Sequence, residues 1–108
     1  MLDQQLAELA RNPFVIDSPN HLGRIAQHFR AHLGLATHIA PRCNAPWVSA
    51  LLTTDGTLQP CFFHLPVGSV ATAPLTQIVA SPRAAQFRDS LDVATNPICQ
   101  RCVCSLYL

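Results

Sequence analysis

The stretch Cys43-Asn44-Ala45-Pro46-Trp47-Val48-Ser49-Ala50-Leu51-Leu52-Thr53-Thr54-Asp55-Gly56-Thr57-Leu58-Gln59-Pro60-Cys61-Phe62-Phe63 decides the fold. Residues 47–53 read as a strand, Asp55-Gly56 as a tight turn, and residues 58–63 as the returning strand. An antiparallel return brings Cys43 and Cys61 to the same end of this hairpin. Two thiols are therefore paired in space although eighteen positions separate them in the sequence.

Upstream, residues 2–12 carry Leu2, Leu6 and Leu9 at helical spacing, with Pro13 ending the run. Ser18-Pro19 is a hydroxyl cap followed by proline at the first helical position. Leu22, Ile25, Ala26, Phe29 and Leu33 continue the helical stripe, and Gly34 supplies a stop. Downstream, Pro66, Gly68 and Pro74 mark a loop, and residues 75–80 read as a helical turn or two. Ser81-Pro82 repeats the helix start, leading to about Leu91, and Asn96-Pro97 breaks the chain before Cys99. The expected fold is α+β: N-terminal helices, a β-hairpin, a short helix, and a cysteine-rich C-terminal loop closing a metal site on the hairpin.

With 108 residues, 49% hydrophobic and 12% charged, the chain has the composition of a globular protein with a thin core. No run approaches the ~18 apolar residues of a membrane helix. Residues 1–5 show no positive region followed by an apolar one, so no signal peptide is expected and the expected compartment is the cytoplasm. The net charge is +1, and the seven basic residues, all arginine, are dispersed from Arg11 to Arg101. That dispersal lacks the basic stripe of a nucleic-acid binder.

Five cysteines is a high count for this length. A secreted disulfide scaffold calls for an even number and a leader, so clustered thiols here point to metal binding or redox chemistry. Cys99-Gln100-Arg101-Cys102 is a CxxC, in which two intervening residues let both sulfurs turn to one centre. Alone it is a weak signal, shared with thioredoxin-like redox motifs, although the βαβ context of those motifs is absent. Joined by the Cys43/Cys61 pair, it brings four thiols together, a set that suits either structural Zn²⁺ or an iron–sulfur cluster. Cys104 is a possible further ligand.

His64 follows Cys61 as C-x-x-H and reads as a loop histidine hydrogen-bonding near the site. His28 and His32 stand at i, i+4, a spacing able to chelate zinc, but read as a solvated helix face; His21 and His38 show no partner. Trp47, Phe62 and Phe63 are expected to pack around the cysteines, and Arg101 to lie at the surface. Asp17, Asp55, Asp89 and Asp92 fall at turns and helix ends, as capping residues do, and no acid–base set stands out.

The pattern Cys43, Gly56, Cys61, then Cys99-x-x-Cys102 resembles the auxiliary-cluster domain of radical SAM proteins, called SPASM, or its shorter relative, twitch. Cys43-Asn44-Ala45-Pro46-Trp47, Pro60-Cys61-Phe62-Phe63-His64, Gly68, Phe87-Arg88 and Asn96-Pro97-Ile98-Cys99 share in the likeness, which covers residues 43–104. Residues 1–40 resemble the helical connection from the radical SAM barrel, leaving 41–108 as the cluster-binding domain. The resemblance implies that Cys43, Cys61, Cys99 and Cys102 bind one [4Fe–4S] cluster, serving electron transfer or substrate positioning, often for a peptide undergoing modification. The full family pattern continues with more cysteines than Cys104, so a second cluster is not expected. The CxxxCxxC that binds the SAM-cleaving cluster occurs nowhere in the 108 residues. The chain is thus not expected to be catalytic alone, and its implied partner is a radical SAM barrel, attached or separate. Zn²⁺ in a structural or interaction module is the alternative occupant.

Overall fold

The computed structural model describes residues 1–108, which divide into two compact units, Met1–Ile39 and Ala40–Leu108.

In the first unit, helix α1 (Leu2–Leu9) packs against helix α2 (Pro19–His32). Ser18 Oγ accepts a hydrogen bond from His21 N at 3.2 Å, and Pro19 occupies the first turn, where its missing N–H costs nothing. Leu22, Ala26 and Ala31 form the buried face of α2. The helix stops at Gly34, whose φ of 72° is readily reached without a Cβ. Gly34 N donates to Ala31 O and Leu35 N to Arg30 O, the paired bonds of a Schellman stop. Arg30 is also paired with Asp3 of α1.

The second unit is built on a three-stranded antiparallel sheet in the order β1 (Leu51–Leu52), β2 (Thr57–Gln59), β3 (Gly68–Ser69). Leu51 pairs with Gln59, Leu52 with Leu58, and Leu58 with Gly68. Between β1 and β2, Gly56 N donates to Thr53 O and Thr53 N to Thr57 O, with Gly56 at φ 83°. This is the hydrogen-bond pattern of a three-residue hairpin loop ending on a left-handed glycine. Helix α4 (Leu75–Val79) and helix α5 (Pro82–Ser90) cover the sheet. Ser81 Oγ caps α5 through Ala84 N, as the repeated Ser-Pro start requires. Leu58, Val67, Ile78 and Ala84 form the core, with Ala73 and Phe87 packed on it.

The α+β expectation holds, and the hairpin exists, but its arms are shorter than the apolar runs suggest. Trp47 and Val48 belong to a helical turn, α3 (Ala45–Val48), rather than to a strand. Pro46 at its first turn presets helical φ, and Ser49 closes it through both N and Oγ on Ala45 O. On the return, Pro60 has no N–H to give the ladder, so β2 ends at Gln59 and residues 61–63 leave the sheet. Strand β3 lies in the segment read as loop. It forms because Gly68 admits Ile78: a Cβ at residue 68 would stand 2.4 Å from Ile78 Cγ2. No helix is long and apolar enough to cross a membrane.

Candidate metal centre

All five cysteines line one cavity of about 370 Å³ in the second unit. That volume is on the scale of a small-ligand site. Ala45, Pro46, Leu51, Phe62, Phe63 and Ile98 contribute apolar wall, and no carboxylate, lysine or arginine lines it.

Each thiol reaches the cavity by a distinct local device. Cys43 precedes α3, beside Asn44. Asn44 N donates to Leu106 O at 2.8 Å, its Nδ2 donates to Leu108 O at 2.8 Å, and its Oδ1 accepts from Leu108 N at 3.1 Å. These bonds return the C-terminal segment, and the cysteines before it, to Cys43. Cys61 follows Pro60 where the chain turns off the sheet, and Phe63 N donates to its Sγ at 3.4 Å. Cys99 lies in the short helix α6 (Pro97–Gln100). There Asn96 Oδ1 accepts from Ile98 N and Cys99 N at 3.0 and 3.2 Å. Cys102 N bonds Cys99 O, closing the CxxC loop, and Cys102 Sγ donates to Cys104 O at 2.6 Å. Cys104 is exposed, whereas the other four are half-buried.

His64 is the one buried polar side chain. Its Nε2 lies 3.4 Å from Cys99 Sγ, and its ring meets Phe87 edge-on with centroids 4.9 Å apart. Burial lowers its pKa and favours the neutral ring, which can donate one N–H to a sulfur.

The electrostatics tie the thiols together. Burial raises the Cys99 pKa, with further upward pushes from Cys61 and Cys43. Cys102 is pushed up to about 11, by burial first and then by Cys104, with smaller contributions from Cys43 and Cys61. Each anion raises the cost of the next, and a bound cation removes that cost. Soft thiolates in an apolar wall, without carboxylates, fit iron–sulfur or zinc coordination rather than magnesium or calcium.

Phe62 and Phe63 line the cavity, as expected, but Trp47 does not: the α3 turn sends it to a separate groove with Leu58, Val67 and Arg88. Arg101 is exposed. The residues that sequence reasoning passed over are the two asparagines, Asn44 and Asn96, whose side chains position the segments carrying Cys102 and Cys99. For Asn96 the signal was local, an Asn directly before Pro97 at a helix start, whereas nothing near Asn44 in the sequence points to its partner Leu108. In the first unit, His21 is partnered after all, with Nδ1 2.7 Å from Asp17 Oδ1.

A small α+β domain with its cysteines gathered on one apolar cavity is, as a class, a thiolate metal-binding module. The SPASM family, an iron-sulfur cluster-binding domain, matches residues 43–103, more than half of the chain, and the chain belongs to that family. Membership carries iron–sulfur cluster binding with it. No curated protein and no solved structure gives a significant match.

Proposed function

We propose that Cys43, Cys61, Cys99 and Cys102 hold one [4Fe–4S] cluster, and that the chain serves as the auxiliary-cluster part of a radical SAM system modifying a peptide or protein. The observation that carries this reading is the convergence of the thiols on one cavity without a competing carboxylate. When bound, such a cluster supplies one-electron transfer at a potential set by burial and by hydrogen bonds to sulfur. The chain's own residues hold that environment: His64 and the Phe63 N–H face sulfurs, while Phe62, Phe63 and Ile98 restrict water. Cys104, exposed and engaged through its carbonyl with Cys102, acts as a spare thiol or a ligand toward a partner. The SAM-binding CxxxCxxC, absent from these residues, is assigned to a radical SAM barrel on the same or another polypeptide.

Anaerobic reconstitution of the full chain with iron and sulfide tests the reading. It should give broad absorption near ~400 nm, with iron and acid-labile sulfide in equal amounts. Cys61→Ala and Cys102→Ala should each lose it. Zinc without labile sulfide in the purified protein, or an undiminished cluster in both variants, overturns the assignment.

A further inference from the structure

The first unit contains a second cluster of donor side chains, remote in sequence from the cysteines. His28 and His32 stand one turn apart at the end of α2, so their rings share one face. Their ring centroids are 4.6 Å apart. His38 joins them from the segment beyond the helix, with its ring centroid 5.3 Å from His32 and 6.3 Å from His28. One nitrogen from each of the three lies within 4.8 Å of the others.

Two local features make this meeting. The left-handed Gly34 and its Schellman bonds reverse the chain at the end of α2. Gln27 Nε2 then donates to Thr37 O at 2.8 Å, pinning the returning segment one residue before His38 and one residue before His28 on the helix. The neighbour of each bonded residue is therefore a histidine, and the two histidines are brought side by side.

The geometry points to a binding site for a divalent transition-metal ion of the zinc class, held by the imidazoles of His28, His32 and His38. Imidazole nitrogen suits zinc, copper and nickel, and three histidines leave a fourth position for water or a donor from a partner. Tetrahedral zinc at its usual ~2.0–2.1 Å to nitrogen sets neighbouring donors about 3.4 Å apart. The three nitrogens need to close by little more than an ångström from their present separations, which side-chain rotation of half-buried and exposed rings supplies. Such an ion would clip the segment after Gly34 to α2, with no part played by the cysteines.

Zinc titration of the full chain, reduced and anaerobic, distinguishes this site from the thiols when imidazole signals are followed by NMR. Zn²⁺ alone should shift the signals of His28, His32 and His38 together and leave that of His21 in place. Bound zinc, counted by equilibrium dialysis, should fall by one equivalent in His32→Gln, an exposed position where folding is not at stake. Gln27→Ala should weaken the site as well, by roughly 10–100-fold, as loss of a supporting partner does at other metal sites. Unshifted His28, His32 and His38 signals at saturating zinc, or an unchanged count in a His28→Gln, His32→Gln, His38→Gln triple variant, would overturn the proposal.

Discussion

Asn44 and Leu108 exchange two hydrogen bonds across 64 residues: Asn44 Nδ2 donates to Leu108 O, and Leu108 N donates to Asn44 Oδ1. With Asn44 N on Leu106 O, they form a clamp beside Cys43 that holds the end of the chain against the start of the cysteine domain. Asn44→Ala keeps the backbone bond and removes the two side-chain bonds. Because they are solvent-exposed, the expected cost is about 1 kcal/mol. The larger effect should be on cofactor retention, since the tether of Cys102 and Cys104 to Cys43 is reduced to the one backbone bond. Iron and labile sulfide per chain after gel filtration should drop below wild type while the far-ultraviolet spectrum is kept.

His64 and Cys99 make the second long-range contact at the centre. A phenylalanine at residue 64 preserves the edge-on packing against Phe87 but has no N–H for sulfur. Hydrogen bonds to cluster sulfurs favour the reduced, more negative state. The His64→Phe protein, reconstituted, should therefore show a lower midpoint potential in a redox titration monitored by electron paramagnetic resonance. An unchanged potential would remove His64 from any role at the centre.

The raised pKa of Cys102 has a consequence in the metal-free protein. With the thiol at about 11 against an ordinary 9.0, its thiolate fraction at pH 8 is about a hundredfold lower. Greater intrinsic nucleophilicity of the more basic thiolate recovers roughly tenfold of that. Alkylation of Cys102 should then run about tenfold slower than that of a cysteine in a model peptide, as measured by peptide-resolved mass spectrometry. Metal loading should protect it altogether.

Among the four glycines, Gly68 has the closest neighbour, Ile78. Gly68→Ala places a Cβ 2.4 Å from Ile78 Cγ2, and Ile78 is itself buried in the core. Overpacking of this kind costs about 1–3 kcal/mol. Leu58→Ala, in the same core and 2% exposed, should cost about 2–5 kcal/mol. Denaturant midpoints of the two variants, set against wild type, measure both.

Asp55 accepts hydrogen bonds from Thr53 Oγ1, Thr57 N and Thr57 Oγ1 in the hairpin loop. The Thr53 hydroxyl and the Thr57 donors hold its pKa below the usual 3.8. A carboxylate with a depressed folded-state pKa contributes stability above its unfolded value and loses it as pH falls through the folded value. The contribution of Asp55 is thus full above about pH 4 and disappears below it. Asp55→Asn should leave unfolding unchanged in its pH dependence at neutrality and flatten it on the acid side of pH 4. Thermal melts across that window test the sign.

The helix starts, the Gly34 stop, the hairpin turn and the CxxC were legible because each is a local signal. A Ser-Pro cap, a glycine at positive φ or a CxxC is specified by residues within one turn of one another. The family was legible for the same reason, as an ordered set of such signals. What the sequence alone could not decide was every choice that depends on a distant neighbour. Trp47 is the local exception: it sits in an apolar run that favours a strand, and the competing signals of Pro46 and the Ser49 bonds to Ala45, equally close in sequence, turn it away from the thiols. Gly68 looked like loop punctuation because its reason, Ile78, is ten residues away and acts through packing. His38 had no partner in sequence. Only the Gly34 reversal and the Gln27–Thr37 bond carry it to His28 and His32. Asn44 likewise read as a neighbour of Cys43, and only the folded chain shows that it binds the other end. Local hydrogen-bonding chemistry wrote the elements and the donor residues, and long-range packing and polar contacts decided which donors meet.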